Sequence, residues 1–156
     1  MTSTHAPTDL SWLGKEAPRY TSYPTAHHFT ARHGAEQHGE WIRSIAEDAS
    51  VSVYVHIPFC NELCWFCGCH TKMTKRYGPI AKYVRVLLKE METLKGMLAG
   101  RGKLVNIHFG GGSPSLLERG DLLAIMYGIS AMFGRTEQGE YAIELDPRTT
   151  TMENIA

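Results

Sequence analysis

Residues 51–69 read VSVYVHIPFCNELCWFCGC, and this stretch contains the features that decide the fold. β-Branched residues alternate with other types over Val51–Ile57, which predicts a strand, and Pro58 ends it because proline cannot donate to a strand ladder. The loop that follows contains all four cysteines of the chain, Cys60, Cys64, Cys67 and Cys69. A secreted disulfide framework spreads its cysteines to connect distant segments, so this crowding indicates metal binding.

The spacing of Cys60, Cys64 and Cys67 predicts ligands of an iron–sulfur cluster, because short loop spacings let one stretch of chain reach several irons. If these three thiolates alone bind, one iron keeps an open coordination position for a substrate or cofactor. Cys69 is only two residues from Cys67, and such a pair would be strained on one cluster. We interpret Cys69 as a small buried residue or as a thiol beside the active site, and not as the fourth ligand.

Other readings of the loop remain open at this point. Zinc uses the same ligand types but commonly takes two C-x-x-C pairs from separate loops, and this sequence has no second pair. His56 is a possible ligand, although a lone histidine on a strand is more often a packing residue. A non-catalytic iron–sulfur electron carrier would use Cys69 as its fourth ligand.

Beyond this loop the sequence alternates between helical and strand patterns. Apolar residues recur at three- and four-residue spacing through two segments, and two further apolar runs predict strands. The predicted order after the first strand is helix Ile80–Leu98, strand Leu104–Phe109, helix Leu122–Phe133 and strand Tyr141–Leu145. Crossovers of this length allow parallel pairing, so we expect an α/β fold with three parallel strands and crossover helices.

The two ends of the chain differ from this central pattern. Residues 1–28 predict an extended arm and residues 30–48 a helix, so we assign 1–50 to an N-terminal arm and helix. Residues 51–156 form the core. Residues 149–156 are typical of the first turn of another helix, which stops before it can bury a face. We therefore expect the chain to be a truncated N-terminal part of a larger core.

Composition excludes several classes of function. The chain has 156 residues, with 16 basic and 16 acidic side chains, so it has no broad positive field for nucleic acid or an anionic membrane. The N-terminus, residues 1–10, lacks the apolar segment of a signal peptide. The longest apolar-looking stretch, residues 122–133, is far shorter than the roughly 20 residues of a membrane-spanning helix. We expect a cytoplasmic protein.

The motif C-x3-C-x2-C directly after a strand resembles the signature of the radical S-adenosylmethionine (SAM) superfamily. A second match supports the resemblance, because Gly110-Gly111-Gly112-Ser113-Pro114 follows the second predicted strand. In that superfamily this glycine segment lies against SAM. The resemblance implies a partial (β/α) barrel, a [4Fe-4S] cluster, and SAM bound at the open iron and cleaved to a 5′-deoxyadenosyl radical.

A narrower resemblance covers most of the chain. Three segments, Pro18–Thr25, Tyr54–Cys60 and Ile143–Pro147, are similar to the oxygen-independent coproporphyrinogen III oxidase family. That resemblance implies haem biosynthesis by oxidative decarboxylation of coproporphyrinogen III to protoporphyrinogen IX. It also implies a low-potential electron donor, a monomer, and no nucleic-acid or membrane partner. A radical SAM haem chaperone is the alternative within the superfamily, and its cysteine loop usually lacks the cysteine at position 69.

The resemblance also assigns roles to individual residues. Cys60, Cys64 and Cys67 would ligate the cluster, and SAM would contact Tyr54, Phe66, Gly111, Gly112, Ser113 and Glu144. Ser113 stands where the family commonly has threonine, which keeps the hydroxyl. The N-terminal arm would fold over the site. The chain matches only about the first third of such an enzyme, so we expect little or no oxidase activity from it alone.

Overall fold

The computed structural model describes residues 25–65, 67–134 and 139–150. The chain divides into two compact units, Met1–Gly34 and Ala35–Ala156. In the first unit the described residues contain a 3-10 turn, Ala26–His28. The predicted arm before Thr25 and most of the predicted last helix lie outside the described residues. The domain boundary at residue 50 stays a prediction.

The described residues of the second unit contain three predicted helices and three predicted strands in the predicted order. Its elements are α1 Ala35–Arg43, β1 Ser50–Ile57, β2 Phe59–Cys60, β3 Lys72–Met73, α2 Gly78–Leu98, β4 Lys103–Gly111, a 3-10 turn Pro114–Leu116, α3 Arg119–Phe133 and β5 Glu140–Ile143. The pairing of β2 with β3 inside the cysteine loop was not predicted. A strand of two residues is too short to show a periodic pattern.

β1, β4 and β5 form one parallel sheet with β4 in the centre. Tyr54 of β1 lies opposite His108 of β4, which lies opposite Ala142 of β5. β2 and β3 form a second, two-stranded parallel sheet, in which Cys60 lies opposite Met73. The α/β class with three parallel strands and crossover helices is therefore confirmed.

The ends of the helices follow from local chemistry. α2 begins with a proline in its first turn, where the missing N–H is not needed, and it ends at Ala99 in a left-handed conformation whose N–H donates to Lys95 O. α1 is shorter than the predicted segment 30–48. The Ser44 hydroxyl donates to Trp41 O at 2.8 Å, a side-chain contact that competes with continued helix. No helix among the described residues is long and apolar enough to cross a membrane.

The two faces of the main sheet have different chemistry. On one face, Val55, Ile57, Ile107 and Phe109 are buried with apolar side chains of α2 and α3, including Val84, Ile125 and Ile129. The other face of β1 and β4 carries mostly polar side chains, which are Ser52, Tyr54, His56, Asn106 and His108. Parallel sheets are usually apolar on both faces, so a polar second face indicates a binding surface.

Candidate cluster and cofactor site

A cavity of about 600 Å³ lies where β1, β4 and β5 end at their carboxyl side. Three segments that are far apart in sequence line it. They contribute Cys60, Cys64, Trp65, Cys67 and Cys69 from the first segment, Gly111, Gly112 and Ser113 from the second, and Glu144 to Arg148 from the third. Ligand sites of α/β proteins commonly occupy this end of a parallel sheet. The structure therefore brings the three predicted cluster ligands together with most of the predicted SAM contacts.

Cys60 differs from the other cysteines because it is buried, at 9% exposure, while Cys64, Cys67 and Cys69 are exposed. Its Sγ lies 3.2 Å from Thr71 Oγ1. The Ser113 hydroxyl also donates to Cys60 Sγ, at 3.8 Å. Two hydroxyl groups therefore surround the sulfur of the first predicted ligand.

The Cys64 thiol is next to a positive charge. Arg148 Nη2 donates to Cys64 Sγ at 3.5 Å, and Arg148 also forms a fork with Asp146 through Nε and Nη2, at 2.9 and 2.7 Å. These hydrogen bonds hold the pKa of the Asp146 carboxyl below its usual value and raise the pKa of Arg148. Asp146 thus orients a permanent cation toward the second predicted ligand.

Cys67 and Cys69 lie together at the outer part of the loop. The Cys67 N–H donates to Cys64 O at 3.1 Å, which folds the loop into a tight turn. Cys69 is exposed, so the first interpretation, a small buried residue, is wrong. Its place at the surface of the cavity agrees with the second, a thiol beside the site. The neighbouring Cys67 sulfur, followed by desolvation, raises the pKa of the Cys69 thiol.

The glycine segment is tightly enclosed by the protein itself. Gly111 has φ +112°, a backbone conformation that favours glycine, and a Cβ there would lie 2.7 Å from the His56 ring. A Cβ at Gly112 would lie 2.4 Å from Phe59 O. The sequence suggested that these glycines make room for a ligand. In the structure they also make room for neighbouring strands and side chains.

Glu144 is held in place just after β5. Its Oε2 accepts from the Gly111 N–H at 3.1 Å, and its Oε1 lies 3.2 Å from His108 Nε2. The rings of His108 and Tyr54 are stacked with centroids 5.7 Å apart. Desolvation, followed by the charge of Glu144, raises the pKa of Tyr54. Glu144 and Tyr54 are therefore oriented on the polar face of the sheet, beside the glycine segment.

His56 has a hydrogen-bond partner for each ring nitrogen. Its Nε2 lies 3.1 Å from His70 O, which can only accept, so Nε2 carries the proton. Its Nδ1 then accepts from the Tyr54 hydroxyl at 3.0 Å. This arrangement favours the packing role over the ligand role for His56.

The donor set fits an iron–sulfur cluster. Four free thiols line one cavity, and three of them have the C-x3-C-x2-C spacing. Among the described residues, no three histidine, cysteine or carboxylate side chains converge closely enough to hold a single metal ion. Thiolates that bind different irons of one cluster need not converge on a point.

Phe66, a predicted SAM contact, lies outside the described residues. Four residues of this site were not predicted from the sequence. The missed residues are Thr71, His108, Asp146 and Arg148. The position of Asp146 and Arg148 directly after a predicted strand was an available signal. Thr71 and His108 carried none, because their contacts depend on strand register.

The comparisons with known proteins agree with this geometry. A family model described as the radical SAM superfamily matches residues 54–156. A protein from Bradyrhizobium diazoefficiens, "Oxygen-independent coproporphyrinogen III oxidase", is 38% identical over 94% of this chain and 32% of its own length. A protein of the same name from Mannheimia haemolytica is 36% identical over 89% of this chain and 96% of its own length.

A solved structure from Escherichia coli, titled as a coproporphyrinogen III oxidase that is a radical SAM enzyme, superposes with a TM-score of 0.77. It is 33% identical and covers 86% of this chain and 30% of its own. The chain thus belongs to the radical SAM superfamily and, within it, to the family whose curated members are named oxygen-independent coproporphyrinogen III oxidases. It spans about a third of the length of the first relatives that it matches.

Proposed function

We propose that this chain forms the cluster-binding and SAM-binding part of an oxygen-independent coproporphyrinogen III oxidase. The observation that carries the proposal is one cavity lined by Cys60, Cys64 and Cys67 together with the glycine segment and Glu144. In this proposal the three thiolates hold a [4Fe-4S] cluster and leave one iron open for SAM. The chemistry that the bound cluster supplies is an electron for reductive cleavage of SAM to a 5′-deoxyadenosyl radical.

The protein side chains have separate tasks in this proposal. Gly111, Gly112 and Ser113 contact SAM, Tyr54 and Phe66 lie against it, and Glu144 accepts a hydrogen bond from it. Glu144 is suited to this because the Gly111 N–H and His108 already fix its carboxylate, which still has free lone pairs. A preoriented acceptor loses little freedom on binding.

The proposed reaction is the oxidative decarboxylation of two propionates of coproporphyrinogen III to vinyl groups, giving protoporphyrinogen IX in haem biosynthesis. Bound SAM would supply the radical that takes a hydrogen from the propionate β-carbon; carbon dioxide would then leave, and an electron acceptor would take the remaining electron. We further propose a low-potential donor that reduces the cluster, a cytoplasmic location and a monomeric state. Cys69 is a thiol beside the site and not a ligand.

Anaerobic reconstitution tests the cluster. The chain should bind about four irons and four sulfides, because a cubane contains that number of each. Cys60→Ala should abolish assembly, whereas the matched variant Cys69→Ser should retain it. Addition of SAM should change the electron paramagnetic resonance spectrum of the reduced cluster.

Three results would contradict the proposal in different ways. Binding of one zinc ion without sulfide would mean that the loop is a zinc site. A cluster that requires Cys69 and ignores SAM would indicate an iron–sulfur electron carrier. For a full-length protein containing this chain, haem binding without turnover of coproporphyrinogen III would indicate a haem chaperone.

A further inference from the structure

Three backbone segments meet at the sulfur of Cys60. β2 carries the cysteine, β3 begins just after Thr71, and the segment after β4 carries Ser113. The β2–β3 pairing is fixed by the Lys72 N–H donating to Pro58 O at 2.8 Å and the Thr74 N–H donating to Cys60 O at 2.9 Å. The Thr71 hydroxyl is thereby held within 3.2 Å of Cys60 Sγ.

Because residue 112 is a glycine, the Thr71 hydroxyl can come this close to Cys60 Sγ. A Cβ there would lie 2.6 Å from Thr71 Oγ1, in addition to its collision with Phe59 O. The next residue, Ser113, is fixed by its N–H donating to Phe59 O at 2.7 Å, and it is only 4% exposed. Both hydroxyls are therefore positioned by the backbone and not by a flexible surface loop.

A cysteine that binds iron has lost its proton, so its sulfur can only accept hydrogen bonds. Thr71, whose bond to Cys60 could otherwise run in either direction, must then donate. Hydrogen bonds to cluster sulfurs change reduction potentials, because the reduced cluster carries more negative charge and gains more from a donor. This effect is larger where water is excluded, as it is around the buried Cys60.

We propose that Thr71 is a positioning residue whose hydroxyl donates to the Cys60 thiolate and raises the reduction potential of the cluster, with Ser113 as a weaker second donor. The proposal rests on the proposed function, since it requires a cluster at Cys60. A threonine outside the cysteine motif would therefore affect how easily the low-potential electron donor can reduce the cluster.

The test compares Thr71→Val, which keeps the shape and removes the hydroxyl, with Thr71→Ser, which keeps the hydroxyl. Each reconstituted protein is titrated electrochemically and followed by electron paramagnetic resonance, with iron and sulfide counted in parallel. Thr71→Val should shift the midpoint potential to a more negative value, and Thr71→Ser should stay close to the wild type. Loss of the cluster in Thr71→Val alone, with retention in Thr71→Ser, would also support a hydroxyl donor at Cys60.

The opposing outcomes are equally distinct. Equal midpoint potentials in the wild type and Thr71→Val, at full iron content, would overturn the role of Thr71 and leave the proposed function intact. An equal shift of the midpoint potential, or an equal loss of the cluster, in Thr71→Val and Thr71→Ser would also overturn the role of Thr71. The change would then not come from loss of the hydroxyl, which Thr71→Ser keeps. A wild-type chain that assembles no cluster would contradict the proposed function itself, and this inference with it.

Discussion

At the scale of single residues, position 112 shows how closely the cavity wall is packed. A Cβ there would meet Phe59 O at 2.4 Å and Thr71 Oγ1 at 2.6 Å, and the first of these is a backbone atom that cannot rotate away. Gly120, on α3, offers the opposite case, because a Cβ there meets nothing within 4 Å. The two glycines form a matched pair for substitution.

Gly112→Ala should destabilise the protein by about 1–3 kcal/mol, since overpacking forces the backbone to shift. It should also lower the iron content after reconstitution, because Thr71 and Ser113 would move away from Cys60. Gly120→Ala should be neutral or stabilising by up to about 1 kcal/mol, as alanine is the better helix former. Urea unfolding monitored by circular dichroism measures both. Equal stability of the two variants would contradict the close packing at position 112.

The residues of the candidate site were predictable to different degrees. Cys60, Gly112 and Glu144 belong to motifs whose spacing is visible in the sequence, and the structure places all three at one cavity. Thr71 was not predictable, because its contact with Cys60 depends on the two-residue β2–β3 pairing. Of the two interpretations of Cys69, burial was wrong and a thiol beside the site agrees with its place at the cavity, a choice that depends on the loop conformation.

At the scale of helices and strands, one side chain connects the beginnings of α2 and α3. The Tyr77 hydroxyl donates to Asp121 Oδ2 at 2.5 Å and accepts from the Glu118 N–H at 2.9 Å. Desolvation, followed by the bond to Asp121, raises the pKa of Tyr77 to about 12. Helix starts have free N–H groups, and Tyr77 satisfies one of them across the interface.

Tyr77→Phe should lower the free energy of unfolding by about 1–3 kcal/mol at neutral pH, because Asp121 and the Glu118 N–H lose their partner. The folded-state pKa is raised above the ordinary value of 10, so this contribution is fully present below pH 10 and is lost as the pH rises toward 12. The free energy of unfolding, measured between pH 8 and about 12, should therefore fall more steeply with pH in the wild type than in the variant.

The control for this experiment is Tyr127→Phe. Tyr127 lies on α3 and is 71% exposed, so its loss should change stability by less than about 0.5 kcal/mol. Parallel pH profiles for the wild type and Tyr77→Phe would show that the hydroxyl of Tyr77 does not couple α2 to α3.

The long elements were predictable because each buries a periodic face. The apolar stripe of α2 and the alternation in β1 predicted both elements with bounds that differ from the observed ones by at most two residues. The segment predicted for α1 was too long at both ends, and the hydroxyl contact of Ser44 with Trp41 O lies just after the observed last residue of the helix. The polar face of β1 and β4 became interpretable only once the strand register was known.

At the scale of the whole chain, the candidate site joins three segments that the parallel sheet brings together. Glu144 bonds to the Gly111 N–H, Arg148 to the Cys64 thiol, and Ser113 to Cys60. A cluster bound to the cysteine loop should therefore stabilise the fold well beyond that loop. A ligand that binds only the folded state stabilises that state in proportion to its binding free energy.

Reconstitution should raise the thermal unfolding midpoint of the wild type, by about 2–4 °C for each kcal/mol in a chain of this size. Cys69→Ser should show the same rise and Cys60→Ser none, as measured by anaerobic circular dichroism. Hydrogen exchange should slow in the cysteine loop and also near Gly111 and Glu144. Protection confined to the cysteine loop would mean that the three segments are not coupled.

The meeting of Cys60 with Ser113 has a consequence for the order of events during protein synthesis. Ser113 follows Cys60 by 53 residues, which takes about 3–10 s at the usual rates of chain elongation. Arg148 follows Cys64 by a longer interval of 84 residues. On the ribosome, the thiols therefore emerge before the hydroxyl and the guanidinium that will neighbour them. An iron–sulfur carrier that loads the nascent chain early would therefore meet the three predicted ligands before the Ser113 hydroxyl and the Arg148 guanidinium can donate to them.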